Sequence, residues 1–143
     1  MNIVIREMKI DDYDSIRGVW ESIPGLKLEE ADSRTGIEKY LTLNPNLSYV
    51  AISEDKIIGT VLCGQDGRRG YLQHLCVVDK YRNRGVGSKL LDAAIEQFNV
   101  LGLHEIRIFV FKNNEVGNRY WARKGWIVRN DIYVRSLKLE KHT

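Results

Sequence analysis

Proline and cysteine are scarce in this 143-residue chain, with two of each. The expected hairpin places Cys63 close to its turn and Cys76 several residues beyond it, which excludes disulfide geometry and implies two free, partly buried thiols in a reducing compartment. The three histidines (His74, His104 and His142) and the two cysteines show no metal-ligand spacing, so no metal is expected. No apolar run approaches the roughly 18 residues that a membrane span requires. Met1–Glu7 lacks the basic start and apolar core of a signal peptide, so a cytoplasmic protein with no membrane partner is expected. The net charge of +3 suits an anionic ligand but is too mild to argue for nucleic acid. Repeats, low-complexity tracts and linkers are missing as well. Hydrophobic residues at 43% and charged residues at 29% describe an ordinary soluble chain, long enough for one domain over residues 1–143 to bury a proper core.

The periodicity predicts the elements. Ile3-Val4-Ile5 is a short strand, followed by a helix from about Asp11 with Tyr13, Ile16, Trp20 and Ile23 on one face. Pro24-Gly25 ends it, and a second helix spans Ser33 to Leu43. Tyr49–Ile52, Ile57–Cys63 and Tyr71–Val78 read as strands joined by hairpin turns. A helix from Gly87 to Asn99, a strand over Ile106–Phe111 and a helix over Asn114–Lys124 follow. Trp126–Val128 and Ile132–Leu139 are the last expected strands. This order describes an α+β fold around a mixed sheet, with a right-handed crossover between Tyr71 and Phe111 if those strands are parallel.

The turn after Val78 carries the chemistry. A strand runs into Asp79-Lys80-Tyr81-Arg82-Asn83-Arg84-Gly85-Val86-Gly87-Ser88-Lys89, which opens a helix. Glycines let successive amides turn inward, and a helix start offers unpaired N–H groups with partial positive charge. Together they suit a phosphate or pyrophosphate, with Lys80, Arg82 and Arg84 adding positive potential. A Walker A loop is excluded because Gly87-Ser88-Lys89 has the reverse order of its lysine and hydroxyl residue. A dinucleotide fingerprint is excluded because Leu90 stands where a third small residue belongs. A plain helix start with solvated charges is the remaining alternative for the two glycines alone.

The wider segment Leu75–Leu91 resembles the central signature of the GNAT N-acetyltransferase superfamily. Arg82, Gly85 and Gly87 meet its pattern of arginine or glutamine, two residues, glycine, one residue, glycine. The superfamily's second block is matched from Asn113-Asn114-Glu115 through Tyr120-Trp121 to Lys124-Gly125-Trp126, and Gly64–Tyr71 is similar to the hairpin of small bacterial members. The resemblance extends to the whole element order. It implies a mixed, mostly antiparallel sheet with a central splayed parallel pair and helices on both faces. It also implies direct acetyl transfer from acetyl-CoA to a primary amine within a ternary complex. Leu75, Cys76, Val77 and Val78 would offer main-chain groups to the pantetheine arm. Arg82, Asn83, Arg84, Gly85, Val86, Gly87 and Ser88 would hold the pyrophosphate, with Asn114 and Trp121 contributing from the second block.

The acid and base are less plain. The superfamily's proton-donating tyrosine falls on Trp121, whose indole cannot act as a general acid near neutral pH. The adjacent Tyr120 is the candidate displaced acid; water, Tyr133 or departure of an unprotonated thiolate are the alternatives. No carboxylate stands on Tyr71–Leu75, where many members carry a glutamate, and His74 has a suitable intrinsic pKa for the base. A packed strand histidine is the competing reading. In a regular strand Tyr71 and Gln73 share the face opposite His74; a bulge would change that parity. Trp20, Pro24 and Gly25, with Tyr71 and Gln73, are candidates for contact with the acceptor, and Glu29, Glu30 and Asp32 give that region acidic character. A silent CoA-binding module is the alternative to an enzyme, and nucleic-acid binding through Arg68, Arg69, Arg82 and Arg84 a weaker third. The expected partners are acetyl-CoA and an amine, with the protein a monomer or a homodimer.

Overall fold

The β-branched runs of the first two thirds pair into one sheet. In a computed structural model, which describes residues 2–139, five strands lie side by side in chain order. They are β1 (Val4–Glu7), β2 (Tyr49–Ser53), β3 (Lys56–Gln65), β4 (Gly70–Val77) and β5 (Ile106–Ile108). The first three junctions are antiparallel and β4 runs parallel to β5, so the sheet is mixed, as the element order implied. Tight links make the hairpins. Glu54 and Asp55 both take positive φ between β2 and β3, and Asp66 Oδ1 accepts the amides of Arg68 and Arg69 between β3 and β4.

Helices cover both faces because successive strand residues point opposite ways. Helix α3 (Val86–Val100) packs over Gly59, where an added Cβ would stand 3.1 Å from Leu90. The next residue, Thr60, accepts the Trp20 indole N–H of α1 (Tyr13–Glu21) on the other side, at 2.9 Å. Each helix buries one stripe: Tyr13, Ile16, Val19 and Trp20 on α1, and Val86, Leu90, Leu91, Ala94 and Phe98 on α3. Such side chains contribute about 1.5–3 kcal/mol each when fully buried. Helix α2 (Arg34–Leu43) buries only Ile37 and starts on Ser33, whose Oγ accepts the Gly36 amide at 3.1 Å. Helix α1 starts later than expected from Asp11, because Ile10–Asp12 forms a 3-10 turn in which Asp12 accepts the Lys9 amide.

The chain divides into two compact units, one up to Phe109 and one from Val110. In the second, α4 (Glu115–Arg123) is capped by Asn114 Oδ1, which accepts the Gly117 amide at 3.0 Å. Gly125, at φ +88°, closes it by donating to the Ala122 carbonyl. The strands expected over Trp126–Val128 and Ile132–Leu139 do not form among the described residues. Their β-branched residues fit a pleated surface, but propensity needs a ladder partner; Ile127, Tyr133 and Leu137 instead stand more than four-fifths exposed. Likewise β5 stops at Ile108 rather than Phe111, where its pairing with β4 ends. Both cysteines are buried and free, and burial pushes the Cys76 thiol up to about 12. His142 lies outside the described residues. No helix among them is long and apolar enough to cross a membrane.

Candidate active site

The sheet opens along β4. Its pairing with β5 begins at Gly70↔Ile106 and ends at Leu72↔Ile108, although β4 continues to Val77. From His74 onward the strand therefore has a partner on the β3 side alone, and its other edge keeps main-chain groups available to an extended ligand. Leu75, Cys76 and Val77 lie on this stretch, with Val78 just past it. The Val77 carbonyl accepts Arg82 Nε at 3.2 Å, and the Val78 amide donates to Ile58, which fixes the strand's exit into the loop. The Cys76 side chain belongs to the core under α1.

The loop has the features of a candidate anion site. A 3-10 turn (Asp79–Tyr81) buries the Tyr81 ring, over which Lys80 Nζ and the Arg84 guanidinium lie at 5.8 and 5.6 Å. Asn83 and then Gly85 adopt positive φ, +61° and +78°, so the chain alternates handedness immediately before α3. No side chain caps Gly85. The first-turn amides of Val86, Gly87 and Ser88 thus keep the partial positive charge of a 15-residue helix unanswered by a cap. No atom lies within 4 Å of where a Gly85 Cβ would stand, so the cradle is open on that side.

At the open end of β4 a bulge places His74. Thr60 faces Cys76 and Leu62 faces Gln73, so two β4 residues stand opposite the single Val61. His74 takes φ +47°, a conformation that costs a non-glycine residue about 1–3 kcal/mol and collects at functional positions. The bulge reverses the parity of a regular strand. Gln73 pairs with Leu62 of the α1-side core, and the His74 ring packs against Trp20 of the same side, tilted by 55° with ring centroids 4.7 Å apart. His74 Nε2 lies 2.8 Å from Asp32 Oδ1, across 42 residues of chain. Burial raises the Asp32 carboxyl, but the His74 hydrogen bond, the Glu29 amide and the charges of His74 and Arg17 outweigh it and hold it below the usual carboxylate range. The sequence marks Asp32 only as part of an acidic stretch with Glu29 and Glu30; its contact with His74 is visible only in the structure.

A free strand edge and a histidine at positive φ thus lie on β4, and the glycine loop follows it at the start of α3. The sequence fits the family model described as acetyltransferase (GNAT) family over residues 13–126. The chain belongs to the GNAT acetyltransferase family. An acetyltransferase of Photorhabdus laumondii subsp. laumondii is 30% identical over 111 residues, covering 78% of this chain and 77% of that one. N-alpha-acetyltransferase 30 of Schizosaccharomyces pombe is 32% identical over 94 residues, 62% of this chain and 63% of that protein, so the match spans under two thirds of the yeast relative. The fold is that of PaiA N-acetyltransferase from Thermoplasma acidophilum, solved in complex with coenzyme A, with a TM-score of 0.76 at 20% identity over 87% of this chain and 89% of that one.

The remaining GNAT positions are placed unevenly. Asn114 spends its carboxamide oxygen capping α4. Trp121, where the family pattern has its tyrosine, is buried and packs against Trp126 at 4.7 Å. Tyr120 meets Trp121 edge-on at 5.1 Å, and its hydroxyl is buried with no hydrogen-bond partner among the described residues. Tyr133 is 90% exposed. Pro24 and Gly25 form an exposed turn after α1, Gln73 is exposed, and the Tyr71 hydroxyl donates to Asp66 in the hairpin turn. Trp20 is fully buried, so it forms a wall of the site beneath His74 rather than an exposed loop surface.

Proposed function

We propose that residues 1–143 act as one catalytic domain, an N-acetyltransferase that moves an acetyl group from acetyl-CoA to a primary amine within a ternary complex. The open loop at Gly85 carries this reading, because it puts a candidate anion site next to a strand edge that can receive an extended arm. Arg82, Asn83, Arg84, Gly85, Val86, Gly87 and Ser88 would hold the pyrophosphate, and the main chain of Leu75, Cys76, Val77 and Val78 the pantetheine. Asn114 and Trp121 would add contacts from α4. Acetyl-CoA supplies an acetyl group activated as a thioester. The reaction converts it and an ammonium into an amide, CoA thiol and one proton: the C–N bond forms, the C–S bond breaks and its electron pair leaves on sulfur.

His74 is the proposed base, taking the proton that frees the acceptor's lone pair. Tyr120 is the proposed donor to sulfur, since a buried hydroxyl without a partner costs about 1–3 kcal/mol that a bound group would offset. Holding both reactants in attack geometry can by itself remove roughly 7–11 kcal/mol of barrier. Pro24, Gly25, Tyr71 and Gln73 would meet the acceptor. Two buried free thiols suit a reducing, cytoplasmic setting.

Calorimetric titration of acetyl-CoA into the wild type and into an Arg84→Glu plus Gly85→Pro variant tests the assignment. Binding by the wild type, lost in a folded variant, is expected. A folded wild type that fails to bind sinks the proposal. Binding with no CoA release across peptide, polyamine and aminoglycoside amines would establish a silent CoA-binding module instead.

A further inference from the structure

We infer that Asp32 is the positioning residue of the base, holding the His74 ring with its proton on Nε2 so that Nδ1 is the atom that accepts the acceptor's proton. This rests on the acetyltransferase reading above and assigns a role to a residue outside the family's motifs.

The ring is held from several directions. Asp32 Oδ1 meets Nε2 at 2.8 Å, with both side chains no more than 15% exposed. Trp20 packs against the ring with centroids 4.7 Å apart and planes tilted by 55°. The His74 backbone is pinned too, since Thr60 Oγ1 donates to the His74 carbonyl at 2.9 Å while accepting from Trp20 Nε1 at 2.9 Å. Asp32 is itself built in. Its Oδ2 accepts the Glu29 amide at 3.0 Å, and its carbonyl accepts the Tyr13 hydroxyl at 2.7 Å and an Arg17 N–H at 3.3 Å. Among the described residues Tyr13 and Arg17 of α1 are titratable groups that hydrogen-bond Asp32, the Cys76 thiol lies in the same cluster, and uncharged Trp20 and Thr60 contact His74.

The chemistry of the pair sets the tautomer. An ionised carboxylate only accepts hydrogen bonds, so a neutral His74 must carry its proton on Nε2. Nδ1 then holds the free lone pair. Among the described residues Nδ1 has no hydrogen-bond partner and is not one of the buried atoms left unpartnered, so on that count it is open to a ligand or solvent. During transfer an ammonium N–H bond breaks, the proton joins Nδ1, and the nitrogen keeps the electron pair for attack. The resulting imidazolium is stabilised by the Asp32 charge, and the proton then passes to solvent; Asp32 takes none. Because Asp32 sits at the end of the α1–α2 connection, the same carboxylate ties that connection to the base.

The experiment compares wild type, Asp32→Asn, Asp32→Glu and His74→Gln. Long-range 1H–15N correlations of the His74 ring are expected to show the Nε2–H tautomer in the wild type and its loss in Asp32→Asn, which keeps an acceptor for the Glu29 amide. With any amine that the wild type acetylates, Asp32→Asn should lower kcat at least about tenfold. KM for acetyl-CoA should stay within twofold, and Asp32→Glu should recover part of kcat. A wild-type ring protonated on Nδ1, or an Asp32→Asn kcat within twofold of wild type, overturns the role of Asp32 alone. Loss of acetyl-CoA binding by the wild type, or its failure to acetylate any amine, overturns the acetyltransferase reading on which the inference rests.

Discussion

Helices α2 and α3 begin in opposite ways. Ser33 closes α2 with a side-chain oxygen on the Gly36 amide, whereas α3 starts on Gly85 with no side chain capping it. The difference follows from what each helix has besides its ends. Helix α2 buries only Ile37 and depends on local terms for its start. Helix α3 sinks Val86, Leu90, Leu91, Ala94 and Phe98 into the sheet, so packing holds it and its first amides can be left for a ligand. A helix that is well anchored along its body can leave an end uncapped.

The comparison breaks most directly if α3 is loosened. Leu90→Ala should cost about 2–5 kcal/mol in urea unfolding, since Leu90 is fully buried against the sheet. A loss below 0.5 kcal/mol (roughly what an exposed substitution costs) would mean that α3 is not held by its buried stripe. Gly85→Asp gives α3 the capping group it lacks, in a residue type that tolerates positive φ. Acetyl-CoA affinity should then fall about 100-fold, equivalent to about 2.7 kcal/mol, with little change in thermal stability. Unchanged affinity would separate the cradle from the cofactor. The converse substitution, Ser33→Ala, should cost about 1 kcal/mol of stability and leave acetyl-CoA binding alone.

The smallest effect concerns acid. Because the folded value of Asp32 lies below its unfolded one, its contribution is present above the ordinary carboxylate range and fades as pH falls through the folded value. Asp32→Asn should therefore flatten the loss of stability between neutral pH and about pH 3, read from unfolding midpoints along the pH series. Parallel curves for wild type and variant would mean that the His74 contact does not stabilise the ionised carboxylate.

Local pattern carried most of the first unit. The stripes on α1 and α3, the turn at Asp66–Arg69 and the glycine loop each rest on neighbours within a few residues. Ser33 and Asn114 also emerged as helix starts, being short side chains that reach their own backbone. The strands expected after Trp126 failed for the opposite reason. Their residues have strand chemistry, but a strand exists only with a hydrogen-bonded neighbour, and periodicity cannot say whether one is there.

The active site divides along the same line. By itself the sequence marked the glycine loop before α3 as a candidate anion site, because glycines and a helix start act through backbone groups that any chain with this spacing presents. It also placed His74 on the strand beside that loop. Only the tertiary structure decided what surrounds His74. One extra residue between Gln73 and Cys76 turns its ring onto the α1 side, and a carboxylate 42 residues away in the chain meets it there. Strand registers and contacts across that much chain follow from how whole elements pack, and no local spacing records them.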